Sequence, residues 1–193
     1  MKKGMKILII VLVAIILITL PIVSSYNSLV SLGQIVDNSS SNIDTQLQRR
    51  SDLIPNLVNT VKGYATQEKS IFTDIANARS KLAGATNVSD KANADSDLSG
   101  SLSRLLVIVE AYPDLKSNQN FRDLSIQLEG TENRIAVARQ DYNTAVTQYN
   151  TKRRKFPSSI TASFFGFDEK TLYKASEGSK ELPSVDFKTA ANE

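Results

Sequence analysis

The sequence predicts an all-α protein: one N-terminal transmembrane helix, an antiparallel up-and-down bundle of four helical segments, and an irregular C-terminal tail. Three observations predict it. Residues 7–23 read ILIIVLVAIILITLPIV, without a charge. From Leu29 onward, apolar residues recur at steps of three and four, the spacing of one helical stripe. No stretch alternates apolar and polar residues as a half-buried strand does. The expected divisions are an anchor at 1–25, a helical body at 26–156, and an aromatic tail at 157–193 that packs on the bundle or on the membrane surface.

The anchor is justified by length and chemistry. A hydrocarbon core of ~30 Å needs roughly 20 helical residues at ~1.5 Å rise each. The run that includes Ile7, Leu12, Ile16 and Val23 is slightly short, but Lys6 can snorkel and Ser24 to Tyr26 can fill the interface. Backbone amides have no other partner in lipid, so the segment must be helical. A basic start and an apolar run also fit a cleaved signal peptide. The length of the run and the lack of a small-residue site after it favour a retained anchor. Lys2, Lys3 and Lys6 precede the span and the next basic residue is Arg49. The positive-inside rule therefore puts the N-terminus in the cytoplasm and the body outside.

The first body stripe runs through Leu29, Leu32, Val36, Ile43, Leu47, Ile54, Val58 and Val61, and continues in Phe72, Ile75 and Leu82. Pro55 interrupts it. Proline lacks an amide hydrogen and disfavours a helical residue before it, so the helix kinks or ends there. The sequence alone leaves both open. Residues 84–96, GATNVSDKANADS, read as a polar loop. Leu98, Leu102, Leu105, Leu106 and Val109 form the next stripe, which ends before Pro113. Asn118 is the expected cap of the last helix, which runs to about Lys155 through Phe121, Leu124, Leu128, Ile135, Ala138, Tyr142, Ala145 and Tyr149. The tail carries Pro157, Gly166, Gly178 and Pro183. With Phe156 just before it, it holds five of the 7 phenylalanines, the others being Phe164, Phe165, Phe167 and Phe187.

Composition narrows the chemistry. The 193 residues include no cysteine, histidine or tryptophan. That removes the disulfide, the thiolate, the usual general base and the usual transition-metal ligand. The net charge of +3 comes from the three lysines before the span, which leaves 20 of the 23 basic residues against 20 acidic ones. A nucleic-acid partner is therefore not expected, because it calls for a basic excess on the folded part. No cofactor or metal is expected either. Asp95, Asp97, Ser99 and Gly100 resemble the start of a calcium loop, but the twelfth position is Leu106 rather than a glutamate. Glu129 and Glu132, with Arg134 and Arg139, read as an exposed ion-pair face, since di-iron bundles pair each glutamate with histidine.

Two sets of residues stand out as candidate sites. Arg49, Arg50 and Asp52 lie beside Pro55, and planar, bidentate guanidinium groups there suit a docking site for a partner. Lys152, Arg153 and Arg154 close the last helix where cations complement its dipole. Together with Phe164 and Phe165 they suit a membrane surface.

Several blocks resemble the LemA family of bacterial membrane proteins: YNSLVSL at 26–32, QLQRRSDLIPNLVNTVKGYA at 46–65, LSRLLVIVEAYPDLKSNQNF at 102–121, LEGTENRIAVARQDYNTAVTQYN at 128–150 and FPSSITASFFGF at 156–167. The resemblance implies a single N-terminal membrane segment and four helical segments, with a turn at Pro55. It implies no reaction. The function expected is a non-enzymatic membrane-anchored scaffold or interaction module of the cell envelope. Its expected partners are the lipid bilayer and another envelope protein, and the chain is compatible with homo-oligomers. The alternatives are a lipid-surface sensor using the basic and aromatic end, and an envelope enzyme that works through carboxylates alone.

Overall fold

The computed structural model describes residues 3–174. The expectations attached to Lys2, Gly178, Pro183 and Phe187 lie outside the described residues. Six helices follow in order: α1 (Lys3–Lys62), α2 (Lys69–Gly84), α3 (Val88–Val109), α4 (Pro113–Ser117), α5 (Gln119–Arg154) and α6 (Ser158–Phe165). There is no strand among the described residues, as the periodicity predicts.

α1 is the largest departure from expectation. It is one helix of 60 residues with both Pro21 and Pro55 inside it, so the turn at Pro55 implied by the family resemblance does not form. Proline in a helix interior costs about 3 kcal/mol, which local sequence cannot offset. Burial can. Arg50, Ile54, Leu57, Val58 and Val61 are all buried on one stripe across Pro55, and side-chain packing supplies most of the stability of helices in proteins. The chain breaks later, at 63–68, where Tyr64 and Ala65 donate their amides back to the Val61 carbonyl at 3.0 and 2.9 Å.

The second departure is at 84–96, most of which is helical. Only residues 85–87 separate α2 from α3. Asn87 accepts a hydrogen bond from the Asp90 amide at 2.8 Å, and its side-chain amide donates to the Asp90 carboxylate. This reciprocal cap satisfies a free amide of the first turn, so the polar run SDKANADS continues as helix. The cap at Asn118 forms as expected, accepting from the Phe121 amide at 3.2 Å.

The chain divides into two compact units. The first holds α1 as far as Leu57 together with Arg122–Leu172. Its buried stripe is Leu29, Val36, Ile43, Leu47 and Ile54 on α1, and Ile135, Ala138, Tyr142, Ala145, Val146 and Tyr149 on α5. The second holds Val58–Phe121 and, among the described residues, Tyr173 and Lys174. There α2 packs on α3, burying Ile71, Phe72, Ile75 and Leu82 with Leu98, Leu105 and Val109.

Gly130 lies within α5 on an exposed face, and a Cβ added there would meet nothing within 4 Å. Glycine in a helix interior is about 1 kcal/mol worse than alanine. Gly130→Ala is therefore expected to stabilise the protein by about that amount, read as a higher denaturation midpoint of the detergent-solubilised chain.

Candidate functional site

The three residues expected to form a docking cluster do not share a surface. Arg49 and Asp52 are exposed, and Asp52 accepts from the Gln48 side chain one turn earlier at 2.8 Å. Arg50 is 1% exposed and donates to a Glu132 carboxylate oxygen at 2.5 Å. The helix phase explains the split. Arg50 follows Ile43 and Leu47 and precedes Ile54 and Leu57 in steps of four and three, so it falls on the buried stripe. Glu132, whose side chain is 44% exposed, also faces Arg139 at 3.8 Å. The glutamate expected on an open ion-pair face is thus the acceptor of a largely buried arginine. Glu129 stays exposed.

The calcium-loop resemblance also resolves into structure. Asp95, Asp97, Ser99 and Gly100 all lie within α3. Asp95 is fully buried and accepts from the Tyr173 hydroxyl at 3.0 Å. Asp97 pairs with Lys81 across the α2–α3 contact at 3.2 Å, and Arg104 pairs with Asp74 at 3.3 Å. Such exposed pairs contribute little, at most ~1 kcal/mol each.

The basic and aromatic end is the most organised polar region of the first unit. The sequence predicts an irregular tail from residue 157. Instead, α6 forms, and Gly166 ends it with φ at 71°, the left-handed conformation glycine adopts without strain. The chain then lies back along α5, held by α5 side chains. Arg153 Nε donates to the Phe167 carbonyl at 2.7 Å, and the Tyr149 hydroxyl donates to the Asp168 carbonyl at 3.0 Å. Asn150 both donates to the Lys170 carbonyl at 2.8 Å and accepts from the Lys170 amide at 3.0 Å. The Tyr142 hydroxyl reaches the Thr171 carbonyl at 2.8 Å, and Lys170 Nζ reaches Asp37 on α1 at 3.1 Å. Burial pushes the phenol groups of Tyr142 and Tyr149 above their ordinary value, which keeps them as donors.

The two arginines are paired with one carboxylate. Arg154 donates to Glu169 at 2.5 Å, and Arg153 lies 3.8 Å from the same carboxylate. The hydrogen bond from Arg154, and then its charge, hold the Glu169 carboxyl below the usual range. Lys152 is half-buried. Phe164 and Phe165 are exposed, with ring centroids 5.0 Å apart. Tyr26, just past the apolar segment, meets Phe165 and Phe167 edge-on at 5.0 and 5.5 Å. Sequence reasoning placed Tyr26 at the membrane interface and Phe156 with the tail aromatics, and missed Ile160 at this end. The available signal was the four-residue spacing of Phe156, Ile160 and Phe164.

The apolar segment itself is open. α1 is the one helix among the described residues long and apolar enough to cross a membrane, and its most apolar 18-residue window is wholly unburied. Burial begins at Ser25 and Leu29.

A family model described as "LemA family" matches residues 39–187. Magnetosome protein MamQ 2 of Paramagnetospirillum magneticum is 29% identical over 188 residues, covering 83% of this chain and 66% of that protein. Magnetosome protein MamQ of Magnetospirillum gryphiswaldense is 27% identical, covering 74% and 62%. Protein LemA of Metamycoplasma hominis is 24% identical, covering 74% and 65%. The chain thus spans just under two thirds of the length of the curated relatives it matches.

Proposed function

We propose that this chain, which belongs to the LemA family, is a non-enzymatic interaction module of the bacterial cell envelope, anchored by residues 7–23. The observation that carries this reading is the open apolar end of α1. A contiguous apolar surface of that size is not left to water in a soluble monomer, and its length suits a bilayer. The lysines at its start favour a cytoplasmic N-terminus and an extracytoplasmic body.

The body is read as an antiparallel helical bundle. In the first unit, Gly33 lies near Tyr149 and Arg50 near Glu132. The step is 17 residues forward on α1 (50 − 33) and 17 backward on α5 (149 − 132), as antiparallel neighbours require. The exposed faces of such helices recognise another envelope protein by helix-on-helix contact, and Arg49 and Asp52 lie on such a face.

Photocrosslinking in intact cells tests this, with the photoreactive residue at Arg49 or Lys62 of the full chain. One reproducible envelope protein among the adducts supports the reading. Adducts with lipid alone, or with the chain alone, overturn it in favour of a lipid-surface or self-assembling role.

A further inference from the structure

We propose that α6 is a second membrane-contacting element, an interfacial helix that lays Ile160 and Phe164, with the preceding Phe156, into the bilayer surface beside the span. The proposal rests on the reading of residues 7–23 as that span.

The helix is amphipathic in the wrong sense for water. It buries small side chains: Ser158 and Thr161 are 1% exposed and Ala162 is 3% exposed. It presents large apolar ones, with Ile160 58% and Phe164 82% exposed. Phe156, just before the helix, is 80% exposed and adds a further large apolar side chain. A surface helix of a soluble domain does the reverse, turning its apolar stripe inward. An outward apolar row with polar small residues inward suits a helix lying in the plane of a lipid interface.

Position names the occupant. Tyr26 contacts the rings of Phe165 and Phe167. It lies three residues past Val23, about 4.5 Å of helical rise beyond the last residue of the apolar run. α6 is therefore held at the level where the span leaves the hydrocarbon, the depth that aromatic side chains favour. Tyr26 thereby ties the aromatic end of α6 to α1 just past its unburied apolar run. The segment cannot drift from that level, because the chain on its far side is fixed to α5 through Arg153, Tyr149 and Asn150.

Charge plays the smaller part. Arg153 and Arg154 are engaged by Glu169, so apolar insertion, more than headgroup charge, supplies the contact. Exposed Lys155, just before Phe156, marks the water-facing edge.

The chain has no tryptophan and no cysteine, which makes single reporters unambiguous. Full-length Phe164→Trp is placed in phosphatidylcholine vesicles whose acyl chains carry bromine. The indole is expected to emit at shorter wavelength than one at Val137→Trp, an exposed α5 position in the same unit, and to be quenched several-fold more strongly. A water-like, unquenched indole at 164 overturns the proposal. A short-wavelength indole that bromine does not quench also overturns it, and assigns the patch to a second copy of the chain. A nitroxide on Ile160→Cys gives the independent measurement: oxygen should relax it more effectively than a water-soluble nickel complex, and the opposite order counts against insertion. Flotation of the unsubstituted chain with vesicles separates the two readings. Failure to float overturns the span and the inference with it, whereas flotation with an unquenched indole overturns the inference alone.

Discussion

Glu132→Ala is expected to destabilise the protein by about 3 kcal/mol, and Arg50→Met by about 1 kcal/mol or less. Both changes break the same 2.5 Å ion pair, so a view in which the pair simply has an energy predicts equal losses. The surroundings differ. The Arg50 side chain is 2% exposed, and the Glu132 side chain is 44% exposed. Removing the carboxylate takes from an interior guanidinium the acceptor that lies 2.5 Å away, and a buried charge that loses part of its compensation is expensive. Removing the guanidinium leaves a carboxylate that water already reaches and that keeps Arg139 within 3.8 Å, while methionine fills much of the vacated volume. Denaturant unfolding of the detergent-solubilised chain, followed by circular dichroism, reads the difference. Equal losses would mean that the burial of Arg50 does not govern the pair.

Leu98→Ala is expected to cost about 3 kcal/mol, while Leu106→Ala changes stability by less than about 0.5 kcal/mol. The two leucines belong to the same stripe by sequence spacing, but Leu98 is 0% and Leu106 48% exposed. Leu98 sits in the contact of α3 with α2, so truncation leaves a cavity that neighbours only partly fill. At Leu106 water takes the vacated space. The same unfolding measurement checks the pair, and comparable losses would contradict the burial of α3 described here.

The two stripes of the first unit were legible. Leu29, Val36, Ile43 and Leu47 on α1, and Ile135, Ala138, Tyr142, Ala145 and Tyr149 on α5, are both predicted by spacing and buried. What was not legible depends on partners distant in sequence. Pro55 breaks a helix locally, and only the burial of residues on both sides of it carries α1 through. The run at 88–96 looks like a loop by composition, and one cap at Asn87 makes it a helix. The chemistry of Arg50 suits a docking residue, although its place between Leu47 and Ile54 carries the signal of burial. The C-terminal residues Lys152, Arg153, Arg154, Phe164 and Phe165, which the sequence groups as a candidate membrane surface, lie at the end of α5 and in α6. The pairing of Arg153 and Arg154 with Glu169 and the outward placement of Phe156, Ile160 and Phe164 follow from how the chain doubles back, which spacing alone does not encode.

The unbroken course of α1 has a mechanical consequence for a protein held by its N-terminal segment. Between Val23 and Leu29, where the buried stripe of the first unit begins, no proline and no loop intervenes, so these 6 residues (29 − 23) act as a stiff spacer of roughly 9 Å. Any roll or tilt of the buried end is transmitted along it rather than absorbed. Adding one residue to that stretch would lift everything beyond it by ~1.5 Å and swing it by ~100° about the axis. With residues 7–23 as an anchor, height and compass bearing above the bilayer are therefore set by residue count.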